Sequence, residues 1–174
     1  WVFWITVLFC YYAFLVWIPS LLVERGFTIT KSFSFTIFIY LSQIPGYFSA
    51  AYLNDRIGRK YTILAYMLLS CLSALGLALA TGEHQVFMLS MLVSFGMNGV
   101  MAGQYTYTAE IYPTSIRATG MGAASAFARI GSIASPTIVG VAYPVLGFAR
   151  VFAMMTAILL IGGLGILFYG KNTR

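Results

Sequence analysis

Arg129 is the residue of this 174-residue chain most at odds with its surroundings. It stands eleven positions into an apolar stretch over 118–143, about 16 Å along a helix axis at 1.5 Å per residue. Insertion scales put a guanidinium at the centre of a membrane helix at roughly +2.5 to +3.5 kcal/mol. Two uses of the charge offset that cost. It can pack against carbonyls left open by Pro136 or by a neighbouring helix, or it can face a cavity and bind an anionic substrate or an acid from another segment. Ser125, Arg129, Ser132 and Pro136 lie at offsets of 4, 7 and 11, one face of a 3.6-residue period. Ser94, Asn98 and Tyr105 make a second polar stripe with successive spacings of four and seven. Gln43 falls mid-way along a third apolar stretch, and Tyr11 and Tyr12 mid-way along the first. Polar groups at such depth face protein or a water-filled cavity. Tyr11, Tyr12, Gln43, Ser94, Asn98, Tyr105, Ser125 and Arg129 are therefore the candidate substrate cavity, and the aromatic run Tyr11, Tyr12, Phe14 and Trp17 serves equally to stack on an aromatic solute or to fill core and interface.

A second group is charged. Asn54-Asp55-Arg56-Ile57-Gly58-Arg59-Lys60 interrupts two apolar stretches, with Gly58 suited to a tight turn. Glu110 and Arg117 bracket a similar break, where Pro113 ends a helix. Asp55, Arg56, Gly58, Arg59, Lys60, Glu110 and Arg117 are expected on one membrane face. There they act as a positive anchor or as a charge network that locks the face shut and parts when the bundle rocks. None of the four acids falls inside an apolar stretch, so a proton-relay carboxylate is expected outside this chain. Metal-ligand spacing, a nucleophile–base pair and a phosphate-cradling glycine loop are all missing. We expect no enzyme and no cofactor. Cys10 and Cys71 lie in apolar runs and read as free buried thiols, and His84 reads as a surface residue.

The elements that carry these residues follow from composition. Sixty per cent of the residues are apolar and 8% charged, too few charges to cover a soluble protein of this size. The formal charge of +6 is scattered, which excludes a nucleic-acid surface. Six stretches reach the roughly 20 apolar residues that a bilayer core requires, over about 1–23, 32–53, 61–80, 85–109, 118–143 and 148–170. The fold class is an all-α membrane protein, a bundle of six transmembrane helices joined by short loops. Arg56, Arg59, Lys60, Arg117, Lys171 and Arg174 fall on one side and Arg25, Lys31 and Arg150 on the other, which puts the first set, and both chain ends, in the cytoplasm. The stretches 61–80 and 148–170 are nearly all apolar and are expected outermost, with the other four inside. Gly96, Gly99, Gly103, Gly120 and Gly122 offer small faces for close helix approach, and Tyr107 reads as packing. Because Trp1 stands inside an apolar run, we expect a further segment before it.

At this point the chain resembles the C-terminal six-helix half of a major facilitator superfamily transporter. Asp55-Arg-Ile-Gly-Arg-Lys60 resembles the loop signature between the second and third helices of each half, and Glu110-Ile-Tyr-Pro-Thr-Ser-Ile-Arg117 the segment after the tenth helix. Trp17-Ile-Pro-Ser-Leu-Leu-Val-Glu-Arg-Gly26 with Gln43-Ile-Pro-Gly-Tyr47 is similar to bacterial niacin and aromatic-acid carriers of the metabolite:proton symporter branch. The resemblance implies a twelve-helix protein with an N-terminal six-helix half, and a solute bound between the halves by alternating access. It implies a cytoplasmic gate at Asp55, Arg56, Gly58, Arg59, Lys60, Glu110 and Arg117, a small organic anion as solute, protons and the lipid bilayer as partners, and a bacterial inner membrane. A sugar or organic-cation porter of the same superfamily is the alternative, and a channel or non-transporting receptor is the alternative from another class.

Overall fold

The computed structural model describes residues 1–171; Arg174, counted above for orientation, lies outside the described residues. The elements are α1 (Val2–Glu24), α2 (Ile29–Leu41), α3 (Gln43–Ile57), α4 (Arg59–Leu79), α5 (Glu83–Ile111) and α6 (Arg117–Tyr169). All regular structure among the described residues is helical. Four of these helices, α1, α4, α5 and α6, are each long and apolar enough to cross a membrane. The protein is a multi-pass integral membrane protein.

The helix boundaries depart from the expected stretches at two places, both for backbone reasons. The stretch over 32–53 is two helices that meet at Ser42. Pro45 has no N–H to offer the Leu41 carbonyl four residues back, so the helical ladder breaks there. Ser42 keeps a helical backbone, and its hydroxyl donates to the Ile39 carbonyl at 2.6 Å and the Met91 carbonyl at 3.1 Å. Thr28 caps the start, its Oγ1 accepting from the Lys31 N–H at 3.3 Å, and the helix therefore begins before residue 32. The second departure is α6, a run of 53 residues through Pro136 and Pro144 that is interrupted at Gly147 (φ 76°, ψ 173°). That left-handed backbone suits glycine alone. Ile5 of α1 lies against Gly131 and Thr6 against Gly162, on either side of the break. The chain thus reverses at Gly147, and the two arms, 117–146 and 148–169, both run along α1.

Close approach of helices sets the core. Along the α4–α5 seam, Tyr66 lies over Gly99, Ser70 over Gly96, and the Ile63 side chain comes within 2.6 Å of where a Cβ on Gly103 would stand. Gly46 of α3 faces the Phe95 carbonyl of α5 at 2.7 Å in the same sense, and Gly120 faces the Tyr112 ring, whereas Gly122 has no neighbour within 4 Å. Phe14, Ile18, Ile63, Leu77, Met97 and Phe152 are buried where these helices meet. The helices expected outermost are two-sided. On α4, Leu68, Leu72, Leu75 and Leu79 are exposed while Tyr66, Met67 and Ala74 are buried; the 148–169 arm exposes Ile161, Leu164 and Leu167 and buries Met155 and Leu159. Cys10 and Cys71 are free and buried.

Both ends of the bundle are tied. At the end bearing Arg25, its guanidinium donates to the Ala80 carbonyl at 2.9 Å, capping the C-terminus of α4, and lies 3.9 Å above the Phe148 ring. Lys31 pairs with Glu83 beside Phe27 and Phe35.

Candidate functional site

The other end of the bundle holds the charged turn. Gly58 (φ 91°) turns α3 into α4, so that Asp55 and Arg59 project together. Arg59 Nε is 2.8 Å from Glu110 Oε1, its Nη2 is 3.4 Å from Asp55 Oδ1, and its Nη1 donates to the Asn54 carbonyl at 3.2 Å. One half-buried guanidinium therefore joins the end of α3, the start of α4 and the end of α5. Lys60 has a different task. Its ammonium donates to the Leu167 and Gly170 carbonyls at 3.0 and 2.9 Å, at the negative end of the α6 dipole. Tyr107 donates to the Lys171 carbonyl at 2.9 Å. Arg56 is exposed and lies 5.1 Å from the Tyr52 ring, and Arg117 opens α6 with its Nε buried and without a partner among the described residues. The structure brings Asp55, Arg59 and Glu110 together; Arg56, Lys60 and Arg117 stand apart from that knot. Its bonds all join helices of this one bundle.

At mid-depth the arrangement is polar but sparsely charged. Arg129 Nη1 donates to Tyr12 Oη at 3.2 Å, on an exposed face. No ion pair of Arg129 is found among the described residues. The Tyr12 ring meets that of Tyr11 edge to face at 5.5 Å. Tyr11 Oη donates at 3.5 Å to Asn98 Oδ1, whose own Nδ2 donates to the Ser94 carbonyl at 2.9 Å. The structure thus brings five of the eight candidate cavity residues into one connected set across α1, α5 and α6. Ser94 and Asn98 are buried in that set, and the Ser94 hydroxyl has no partner among the described residues. The other three stand differently. Tyr105 packs edge-on against Trp4 at 5.0 Å, Gln43 has a buried Nε2 without a partner, and Ser125 is half-buried with no side-chain hydrogen bond among the described residues.

A cavity of about 530 Å³ lies nearer the charged end, walled by Trp1, Trp4, Tyr107, Thr108, Tyr112 and Ile166. None of the eight candidates lines it. Sequence reasoning passed over the polar contacts that join helices around the mid-depth set. Trp4 Nε1 donates to Thr108 Oγ1 at 2.9 Å, and Trp17 Nε1 donates to the Pro136 carbonyl at 3.0 Å. It also passed over Gln104, fully buried with both amide atoms unpartnered among the described residues. An amide twenty-one positions into the α5 helix was a readable signal, by the same depth rule that selected Asn98.

What this arrangement offers chemically is donors. Tyr12 accepts from Arg129, which leaves its own O–H and the remaining guanidinium N–H groups available to an anion. It has no nucleophile held against a base, and no cluster of His, Cys, Asp or Glu able to hold a metal is found among the described residues.

The sequence model of the Major Facilitator Superfamily matches residues 32–174. The chain is similar to the niacin transporter NiaP of Acinetobacter baylyi, 39% identical over 177 residues that take in 100% of this chain and 40% of that protein. It is 37% identical over 172 residues to the putative niacin/nicotinamide transporter NiaP of Bacillus subtilis, covering 98% of this chain and 43% of that one. The putative metabolite transport protein YyaJ of Bacillus subtilis is 26% identical over 171 residues. The chain spans about two fifths of the length of these relatives. A run of apolar helices closed by a charged glycine turn, matched over four fifths of its length by the family's own sequence pattern, belongs to the Major Facilitator Superfamily.

Proposed function

We propose that this chain is the C-terminal half of a secondary active transporter for a small organic anion of the niacin or aromatic-carboxylate kind, working by alternating access and coupled to protons. One observation carries the reading. Arg129 stands at mid-depth with a phenol, and no carboxylate among the described residues, as its partner. A guanidinium at membrane depth with no carboxylate partner attracts an anion and repels a cation, which disfavours an organic-cation porter. The carboxylate of the solute takes the guanidinium fork and the Tyr12 hydroxyl, and its ring lies on the Tyr11–Tyr12 pair. Gln43, Ser94, Asn98, Tyr105 and Ser125 complete the cavity wall.

In this reading the six spans are α1, α2 with α3, α4, α5 and the two arms of α6, and the charged end faces the cytoplasm. The names of the NiaP relatives, which match along nearly all of this chain, support the solute class. Asp55, Arg56, Gly58, Arg59, Lys60, Glu110 and Arg117 form the cytoplasmic gate. Asp55 and Arg56, exposed at the turn, meet the other half, and the Arg59–Glu110 pair keeps this half's face in shape.

Uptake of labelled nicotinate by vesicles carrying the full-length protein tests the reading, with and without an inward proton gradient. Gradient-driven uptake is expected, with a loss of about 10- to 100-fold in Arg129→Ala at normal insertion, the scale of hydrogen bonds to a charged group. Absence of uptake by correctly inserted wild-type protein removes nicotinate, and unchanged uptake by the variant removes Arg129 from the site.

A further inference from the structure

Each proline inside a helix leaves one carbonyl, four residues back, without its N–H donor. In α6, Pro136 frees the carbonyl of Ser132 and Pro144 that of Gly140, and the hydroxyl of Ser135 in the same helix donates to the Ser132 carbonyl at 3.3 Å. In α1 it belongs to Leu15, freed by Pro19, and the donor comes from another helix. Tyr40 Oη of α2 reaches it at 3.3 Å. The two groups lie at similar depths, nine residues from the end of α1 and eleven from the start of α2, or about 14 and 17 Å along the helix axes.

The segment that carries Tyr40 is held loosely otherwise. Of the thirteen residues of α2 only Ser32, Thr36 and Ile39 are buried, and Ile29, Phe33, Ile37, Phe38 and Leu41 are exposed. Lys31 pairs with Glu83 at its tip, and midway along it Phe35 and Phe38 pack on the Phe87 ring at 4.3 and 6.2 Å. Its base is the break at Ser42, where Pro45 leaves the Leu41 carbonyl free of a backbone donor. An arm with a break at its base and one polar bond along its length has the parts of a hinged strap.

We infer that the Tyr40 hydroxyl and the Leu15 carbonyl form a latch between α2 and α1, and that α2 swings about Ser42–Pro45 when the latch parts. Closed, the phenol stands in for the proline's missing N–H and keeps an apolar-depth carbonyl satisfied. Open, the carbonyl takes water instead, one turn along α1 from Tyr11 and Tyr12. The path so uncovered leads to Arg129, and this last step alone rests on the anion-site reading above.

A double-mutant cycle measured by hydrogen exchange of the 29–41 amides, on full-length protein in lipid vesicles, tests the latch. Tyr40→Phe is expected to speed exchange of the arm about fivefold, the population change that one hydrogen bond of ordinary net strength makes. Pro19→Ala restores an N–H to the Leu15 carbonyl, so in that background Tyr40→Phe is expected to change exchange by less than about twofold. Equal acceleration in both backgrounds, or none with Pro19 present, overturns the latch. Nicotinate uptake by the same preparations separates the two ideas. A coupled cycle in protein that takes up no nicotinate keeps the latch and sinks the anion reading, and uptake with an uncoupled cycle does the reverse.

Discussion

The Arg129–Tyr12 contact sets the chemistry that the bundle can offer. A guanidinium presents two parallel N–H donors in a fixed plane, while an ammonium presents a point charge, so the two are not equivalent toward a carboxylate. Arg129→Lys is therefore expected to insert normally and to raise the KM for nicotinate about tenfold, with a smaller change in the maximal rate; dose–response uptake reads the two apart. Tyr12→Phe removes one donor and leaves the charge, and a rise in KM of about fivefold is expected. The two residues were visible in the sequence as polar groups at membrane depth. Their pairing was not, because it joins positions 117 apart and depends on α1 lying along the arm that carries Arg129. Gln104 was passed over although the same depth rule applies to it, since it belongs to neither the Ser94–Asn98 stripe nor a charged motif.

Helix seams carry their own signature, and the α4–α5 seam is the tightest of them. The Tyr66 ring occupies the space where a side chain on Gly99 would stand, and the Tyr66 hydroxyl donates to Ser49 Oγ of α3 at 2.6 Å. One aromatic side chain thus positions three helices. Gly99→Val forces that ring aside, and a loss of about 1–3 kcal/mol is expected, seen as a lower unfolding temperature of the purified protein in detergent. Glycines at spacings of three and four along α5 made this seam legible beforehand, because only the backbone need approach. Element ends were less so. Hydropathy sees 32–53 as one span, yet a single missing N–H at Pro45 divides it, and the polar residues Asn54, Asp55 and Arg56 continue helical to Gly58 although they are not apolar.

Considered whole, the bundle is laced at both ends by an ion pair and a cation on helix-end carbonyls. The Arg25 end has Lys31–Glu83 and Arg25 on Ala80, the other the Arg59 knot and the Lys60 cap. Exchanging the charges of the knot tests its structural part. Arg59→Glu and Glu110→Arg alone each place like charges together and are expected to cost about 1.5–3 kcal/mol, whereas the double exchange recovers most of that; unfolding temperatures of the three variants decide. Loop motifs made the residues of this knot legible, but the division of labour inside it was not. Spacing alone does not say that Lys60 reaches α6 while Arg59 reaches α5. The reversal at Gly147 was legible, since the expected stretches end at 143 and resume at 148, although Pro144, Val145 and Leu146 stay apolar and helical.

That reversal has a consequence for how the chain is made. A turn of Val145, Leu146, Gly147 and Phe148 carries no polar group that would stop at the headgroups, and the first charge after it is Arg150. The preceding arm is a reluctant guest in lipid because of Arg129, while the arm over 151–169 has no charge at all. Released one after the other from the translocon, the first would meet lipid with its guanidinium bare. Joined by so short and apolar a turn, the two are expected to leave the translocon together as one hairpin, the second arm offsetting the cost of the first.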